Sequence, residues 1–347
     1  MPTLLPFTRQ LCSTFTHVRE GETKLGQALY CYDGDTPLNT ALADAKQQGV
    51  RFVILGIGED IGPRANLGRG GAVDAFEATM SQWCNLQSNQ FFDAKQCMVL
   101  GQVNTHDLQL PASATTQTLR AHVERLDERV IHIVSSIIAA GLEPIVIGGG
   151  HNNAYGLLMA SKQVMKRPIA AVNLDPHADF RPREGRHSGN GFSYAAASGA
   201  LGYYHVLGMH ELKNSQQTLD QLSAFGGKWH TLQAIWVRQE LSLKQAIDEI
   251  VTQLNDSGSP VAVELDMDAI MNMPSSASTA AGIPLLDALY YVNQIGLRTN
   301  ACYLHLAEAA PSCHNAGSDA GRRETGQSIS ELIYAYMQGR IARQPIG

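Results

Sequence analysis

None of the six cysteines, Cys12, Cys31, Cys84, Cys97, Cys302 and Cys313, forms a C-x-x-C pair. Neither a zinc knuckle nor a thioredoxin-type redox motif is therefore indicated. Six cysteines permit disulfides, but a chain of 347 residues does not need them to hold a core. No uninterrupted apolar run approaches the ~20 residues of a membrane-spanning helix, so no membrane partner is expected. The start, "MPTLLPFTRQLCSTF", lacks a basic stretch followed by an apolar core, so no signal peptide is expected either. A soluble, reducing, cytoplasmic setting is the expectation. Positive charge is not in excess: the net charge is -6, which argues against a nucleic-acid partner. There is no internal repeat, no low-complexity tract and no Pro/Gly/Ser linker. Residues 1–347 are therefore read as a single domain, with residues 1–50, which show no clear strand core, as a peripheral N-terminal extension.

What is present is a sizeable stock of core-forming residues, 44 % hydrophobic against 17 % charged, which excludes wholesale disorder. Short apolar runs alternate with longer helical patterns. "RFVILGIG" from Arg51, "EPIVIGGG", "PIAAVNL", "YYHVLGM", "SPVAVELDMD" and "ACYLHLAEA" read as buried strands, and "QAIWV" is a further short apolar run. Leu119, Val123, Leu126, Val130, Ile133 and Ile137 step by three and four, the mark of an amphipathic helix, and Gly141 stands where such a helix ends. Helical patterns also run from Tyr155, from Ser215 to Phe225, from Leu241 to Leu254, from Leu285 to Leu297 and from Arg322 to Ile341. Strands apolar on both faces and alternating with helices predict an α/β fold, a mostly parallel sheet covered on both sides in three layers, α/β/α. Ligands of such sheets sit beyond the carboxyl ends of the strands.

Acids and histidines fall at those ends. His151 follows "EPIVIGGG"; Asp175, His177 and Asp179 follow "PIAAVNL"; Asp266 and Asp268 follow "SPVAVEL". If the strands are neighbours, four carboxylates and two imidazoles converge. Like charges in so small a volume repel or shift their pKa values strongly, and divalent cations remove the conflict. Mixed carboxylate and imidazole ligands suit Mn, Fe, Co, Ni or Zn rather than Ca. A metal pair activates water near neutral pH, which is the equipment of a hydrolase.

"GGGH", "DPHAD" and "ELDMD" resemble the three metal motifs of the ureohydrolases, the superfamily of arginase, agmatinase and formimidoylglutamase. The resemblance runs from about Arg51 to beyond Glu308. It implies an arginase-like fold and two divalent metal ions, Mn2+ above all. One ion would be held by His151, Asp175, Asp179 and Asp266, the other by Asp175, His177, Asp266 and Asp268. Within the superfamily the motifs are most similar to those of formimidoylglutamase. Gly150 precedes His151 where arginases carry aspartate, "ILGIGEDIGPRANLGRGGA" looks like the formimidoylglutamase N-terminal loop, and Arg181 stands where arginases have asparagine. A guanidinium suits a glutamate-type carboxylate by bidentate pairing. Ser188 and Asn190 match positions that bind an amino-acid head group in arginases. Phe192 falls on the arginase proton-shuttle histidine, and Glu308 matches the glutamate that orients the amidine end of the substrate.

The implied reaction is hydrolysis of a C–N bond in an amidine, N-formimidoyl-L-glutamate to L-glutamate and formamide, a step of histidine degradation. Asp268 would pass a proton to the leaving amine, Glu308 would orient the amidinium, and Arg181, Ser188 and Asn190 would bind substrate. A guanidino-compound hydrolase releasing urea and a catalytically silent ligand-binding homologue stay open as alternatives, as does assembly into a homo-oligomer. The chain departs from the family pattern at Glu264, where serine or threonine is usual, at Asn190, where many formimidoylglutamases have threonine, and at Asn152 and Asn153, which replace the more usual glutamate.

Other features carry less. "GIGEDIG" faintly suggests a dinucleotide loop, but Pro63 follows and no helix is expected where a pyrophosphate would need one. Arg64, Asn66 and Arg69 are candidate substrate-side contacts or ordinary loop residues. His187 is a candidate proton relay or a hydrogen-bonding loop residue. Tyr155 and Tyr194 read as packing residues, and His205, His210 and Glu211 as either pocket lining or structure.

Overall fold

In the computed structural model, which describes residues 3–343, the six runs read as strands lie in a ten-stranded sheet. The strands are β1 (Leu4–Pro6), β2 (Tyr30–Cys31), β3 (Phe52–Gly56), β4 (Cys97–Val103), β5 (Glu143–Ile147), β6 (Ile169–Leu174), β7 (Leu201–Met209), β8 (Lys228–Thr231), β9 (Val261–Asp266) and β10 (Ala301–Ala307). Their order is β1-β4-β3-β5-β10-β9-β6-β7-β8, with β2 also on β4. Every pairing is parallel except that of β1 with β4.

Successive residues of a strand point to opposite faces, and the sequence supplies apolar side chains for both. Phe52, Ile54, Ile145, Ile147, Val172, Leu174, Val263 and Leu265 enter one core. That core is closed by helices Ala75–Trp83, Leu243–Asp256, Leu285–Arg298 and Ser318–Ala342. Val53, Leu55, Val146, Ala171 and Ala262 enter the other, closed by Leu38–Gln47, Thr116–Ala139, Asn153–Met165 and Gln216–Phe225. The result is the expected three-layer α/β/α arrangement. The long helix starts at Thr115, whose hydroxyl accepts the Thr118 N–H, and buries the stripe from Leu119 to Ile137 that its periodicity marks.

Several elements differ from expectation or add to it. Residues 1–50 lie at the periphery but contribute β1 and β2 to the sheet edge. The runs Cys97–Val103 and Lys228–Thr231 are strands that the sequence reading does not include. The second is polar because it lies at an open edge, with Lys228 and Trp229 exposed. The short apolar run "QAIWV" is a π-helical turn, Gln233–Val237, capped by the Thr231 hydroxyl on Ala234 N–H and pinned by Trp236 Nε1 donating to Asp287 at 2.8 Å. A one-turn helix, Ile61–Ala65, does begin in the glycine loop where none was expected. It still offers nothing to a phosphate. The carboxylate of Glu59 takes the Gly62 N–H at 3.0 Å, and Pro63 has no N–H to give.

Candidate metal centre

Register brings the candidate ligands together. Ile147 pairs with Leu306, Leu306 with Leu265 and Leu265 with Leu174, so four central strands end at one level. The residues that follow are Gly148, Ala307, Asp266 and Asp175. Gly148 and Gly149 take φ of 82° and 70°, which lets the chain turn His151 back over the strand ends. A Cβ on Gly149 would lie 2.8 Å from Glu59 Oε1 and 3.0 Å from the Ile57 carbonyl oxygen.

His151 Nδ1 is buried, has no hydrogen-bond partner, and lies 3.2 Å from Asp175 Oδ2, 3.2 Å from Asp179 Oδ2 and 3.3 Å from Asp266 Oδ2. His177 Nδ1 lies 3.4 Å from Asp175 Oδ1 and 3.3 Å from Asp268 Oδ2. These ligand atoms form two groups compact enough to hold an ion, His151/Asp175/Asp179/Asp266 and Asp175/His177/Asp268. The acids are aimed by local bonds: Asp175 Oδ1 accepts His177 N–H at 2.6 Å and Asp266 Oδ1 accepts Asp268 N–H at 2.8 Å. Asn173 Nδ2 donates to Asp175 Oδ2 at 2.9 Å.

The charges are in conflict. Burial and then the neighbouring Asp175 push Asp179 up to about 6. Burial, Asp268 and Asp175 push Asp266 well above the usual carboxylate range. Burial alone would raise Asp175, yet the neighbouring imidazoles of His151 and His177 bring it down to about 2. Burial opposes the charged form of His151, but Asp175, Asp179, Asp266 and Glu264 together lift it well above its usual value. An orphaned imidazole nitrogen facing three carboxylate oxygens is the donor set of a divalent cation.

The cage opens into a cleft of about 480 Å3 lined by His177, Asp179, Asp266, Asp268 and Glu308, and by Asn66, Arg181, Glu184, Ser188 and Lys213 at its mouth. Glu308 sits at φ 63°, directly after β10, and its Oε1 accepts the His151 N–H at 2.9 Å. Burial, with Asp268 and Asp179, raises its carboxyl to about 8. Arg181 is half exposed, bonded to the Asn66 side chain and at 3.1 Å to Glu184 Oε1.

The other candidates are placed elsewhere. Asn190 is fully buried and spends its amide inside the loop, accepting from Arg186 Nη1 at 2.9 Å and donating to the Gly185 carbonyl at 2.8 Å. His187 is fully buried, accepts the Gly189 N–H at Nδ1 and is pushed down to about 3 by burial and then by the charges of Arg181, Arg120 and Arg186. Neither lines the cleft. Arg64 turns to the Leu110 and Pro111 carbonyls, and Arg69 to that of Ser276. Phe192 lies edge-on to His151, centroids 5.3 Å apart, and stacks on Tyr204. His205 is buried against His230, while Glu211 pairs with Arg238. His210 Nδ1 accepts the Leu212 N–H at 3.1 Å. That loop reaches the cleft through Lys213 and Asn214, the latter accepting Ala178 N–H at 2.8 Å.

Two residues outside the sequence reading build the frame. Glu59, fully buried, accepts from Gly62 N–H, Gly150 N–H at 2.7 Å, Asn152 Nδ2 at 3.2 Å and Asn153 Nδ2 at 2.8 Å. Arg186 pairs with Asp127 at 2.9 Å, donates to the Asn152 carbonyl and lies between the rings of Tyr155 and Tyr194. It ties the loop before Ser188 to the long helix. Arg181, Arg183 and Glu184 stand in the same stretch, so nothing local singles out Arg186.

The Arginase family model matches residues 50–337. A formimidoylglutamase of Streptococcus pyogenes serotype M3 is 28 % identical over 282 residues, 78 % of this chain and 77 % of its own. A formimidoylglutamase from Bacillus subtilis superposes with TM-score 0.74 at 16 % identity, covering 94 % of this chain and 95 % of that one. A Trypanosoma cruzi formiminoglutamase solved with Mn2+ superposes with TM-score 0.70 at 19 % identity, covering 93 % and 100 %. With its motifs at adjacent strand ends and the family match spanning most of its length, the chain belongs to the arginase family.

Proposed function

We propose that the chain is a two-metal hydrolase of a linear amidine, N-formimidoyl-L-glutamate being the substrate it fits, with L-glutamate and formamide as products. The observation that carries this is the buried, unpartnered Nδ1 of His151 facing three carboxylate oxygens at 3.2–3.3 Å on the floor of an open cleft. The names of the relatives support the substrate class. His151, Asp175, Asp179 and Asp266 would hold one ion and Asp175, His177, Asp266 and Asp268 the other; Mn2+ suits these ligands and accompanies the T. cruzi relative. Bound there, the pair supplies Lewis acidity and water activated near neutral pH.

The chain's own groups do the rest. Glu308 faces the cage from the end of β10 and accepts hydrogen bonds from the amidinium nitrogens, a cation that favours its ionised form. Asp268, on the cleft wall, carries a proton to the leaving amine. Arg181 exchanges its contact with Glu184 for a substrate carboxylate, and Ser188 lines the same wall. His187 and Asn190 shape the loop and do not touch substrate.

Purified protein reconstituted with Mn2+ is expected to release formamide from N-formimidoyl-L-glutamate and no urea from arginine, agmatine or guanidinobutyrate. Asp266→Ala should abolish turnover. Arg181→Ala should raise KM by roughly tenfold or more with a smaller effect on kcat, the loss of one charged pairing. Activity confined to guanidines would overturn the substrate assignment.

A further inference from the structure

The two imidazoles of the cage are backed differently. His151 is fully enclosed, and its Nε2 lies 3.3 Å from Glu264 Oε2. Glu264 is itself fully buried in the middle of β9. The Tyr303 hydroxyl donates to its Oε1 at 2.5 Å and His305 Nδ1 to its Oε2 at 2.6 Å. His305 is the cross-strand partner of Glu264, and Tyr303 lies two residues before it on the same face of β10. With Phe192 against its ring, His151 has one orientation, Nδ1 toward the acids. His177 has none of this. Its side chain is 29 % exposed, and among the described residues no hydrogen bond reaches its Nε2.

A carboxylate on the far nitrogen of a ligating imidazole fixes its tautomer and ring angle and makes it a better donor. Resting on the two-metal reading above, we propose that Glu264 is a positioning residue that makes the two metal positions unequal, the one beside His151 filling first and the one beside His177 last. A neutral hydroxyl at residue 264 could not do this, because it brings neither the charge nor the reach to hold His151, His305 and Tyr303 at once. A Glu264 that merely satisfied His305 in the core would alter the stability of the fold but not the order of metal binding.

The test uses the full-length chain stripped of metal and titrated with MnCl2, with bound metal read by equilibrium dialysis and by electron paramagnetic resonance. The wild type is expected to take its first Mn2+ at least ~10-fold more tightly than its second, with a mononuclear signal before the coupled pair appears. Glu264→Gln should weaken the first step by roughly 10- to 100-fold and the second much less. His177→Asn should remove the second step and spare the first. Equal affinities in the wild type, or a first step indifferent to Glu264→Gln, overturn this inference alone. Failure to bind a second ion overturns the two-metal reading and this inference with it. Should Glu264→Gln not fold, His305→Gln keeps the carboxylate but removes one of its donors. It is expected to weaken the same first step several-fold, and no weakening there overturns the proposal.

Discussion

Asp179 takes φ 45°, a left-handed conformation that costs a non-glycine residue roughly 1 kcal/mol or more and is held only because the surroundings fix it. Its carboxyl, raised to about 6, gives a pH dependence with a definite sign. Below that pH the metal-free protein carries a proton on Asp179 that an incoming cation must displace, so Mn2+ affinity should fall as pH drops through 6. Above it, this proton no longer contributes. Titrations on either side of pH 6 check this, and a flat affinity would contradict it. At the same scale, Arg186→Met leaves Asp127 buried without its partner. It should cost roughly 3–5 kcal/mol in urea unfolding, and a loss near zero would show that the pair does not fix the loop. The ligands themselves were legible because alternate residues at a strand end declare their direction. Glu59, Arg186 and the bond from Glu264 to His151 were not. Their partners lie 91, 59 and 113 residues away, and nothing local in a buried acid or base says which distant group it meets.

At the scale of elements, the glycine turn after β5 carries the site. Gly149→Ala places a Cβ against Glu59 and the Ile57 carbonyl at a positive φ. It should destabilise the fold by roughly 1–3 kcal/mol and lower metal content in the same preparations; unaltered unfolding with full metal loading would contradict it. The central strands and the long helix were readable because burial on both faces and a 3.6-residue stripe leave clear periodic signals. Lys228–Thr231 was not, since a polar edge strand has no periodicity to show, and "QAIWV" stayed unassigned because a short apolar run does not distinguish strand from helix. The Trp236 bond to Asp287 decides it, from 51 residues away.

For the whole molecule, the sheet has one edge in which Leu4–Pro6 and Tyr30–Cys31 take part. β1 and β2 both pair with β4, and Leu4 and Phe7 are buried there. A chain begun at Arg51 would bare the backbone and apolar side chains of that edge, a template for association. It should unfold at lower temperature and sediment as aggregate; a truncated protein as soluble and as stable as the intact one would show these residues to be dispensable. The fold class was legible because alternation of strands and helices admits few architectures. The role of residues 1–50 was not, because strands of two and three residues carry no pattern.

The four bonds converging on Glu59 also bear on how such a chain can change by substitution. Asn152 and Asn153 donate to it, so a glutamate introduced at either position, as in the more usual family pattern, would set two carboxylates against each other in a dry interior. Neither half of the exchange is tolerable alone. Residues 59, 152 and 153 are therefore expected to vary together across related sequences, and a graft that moves the acid without its amides inherits a fault in place of a function.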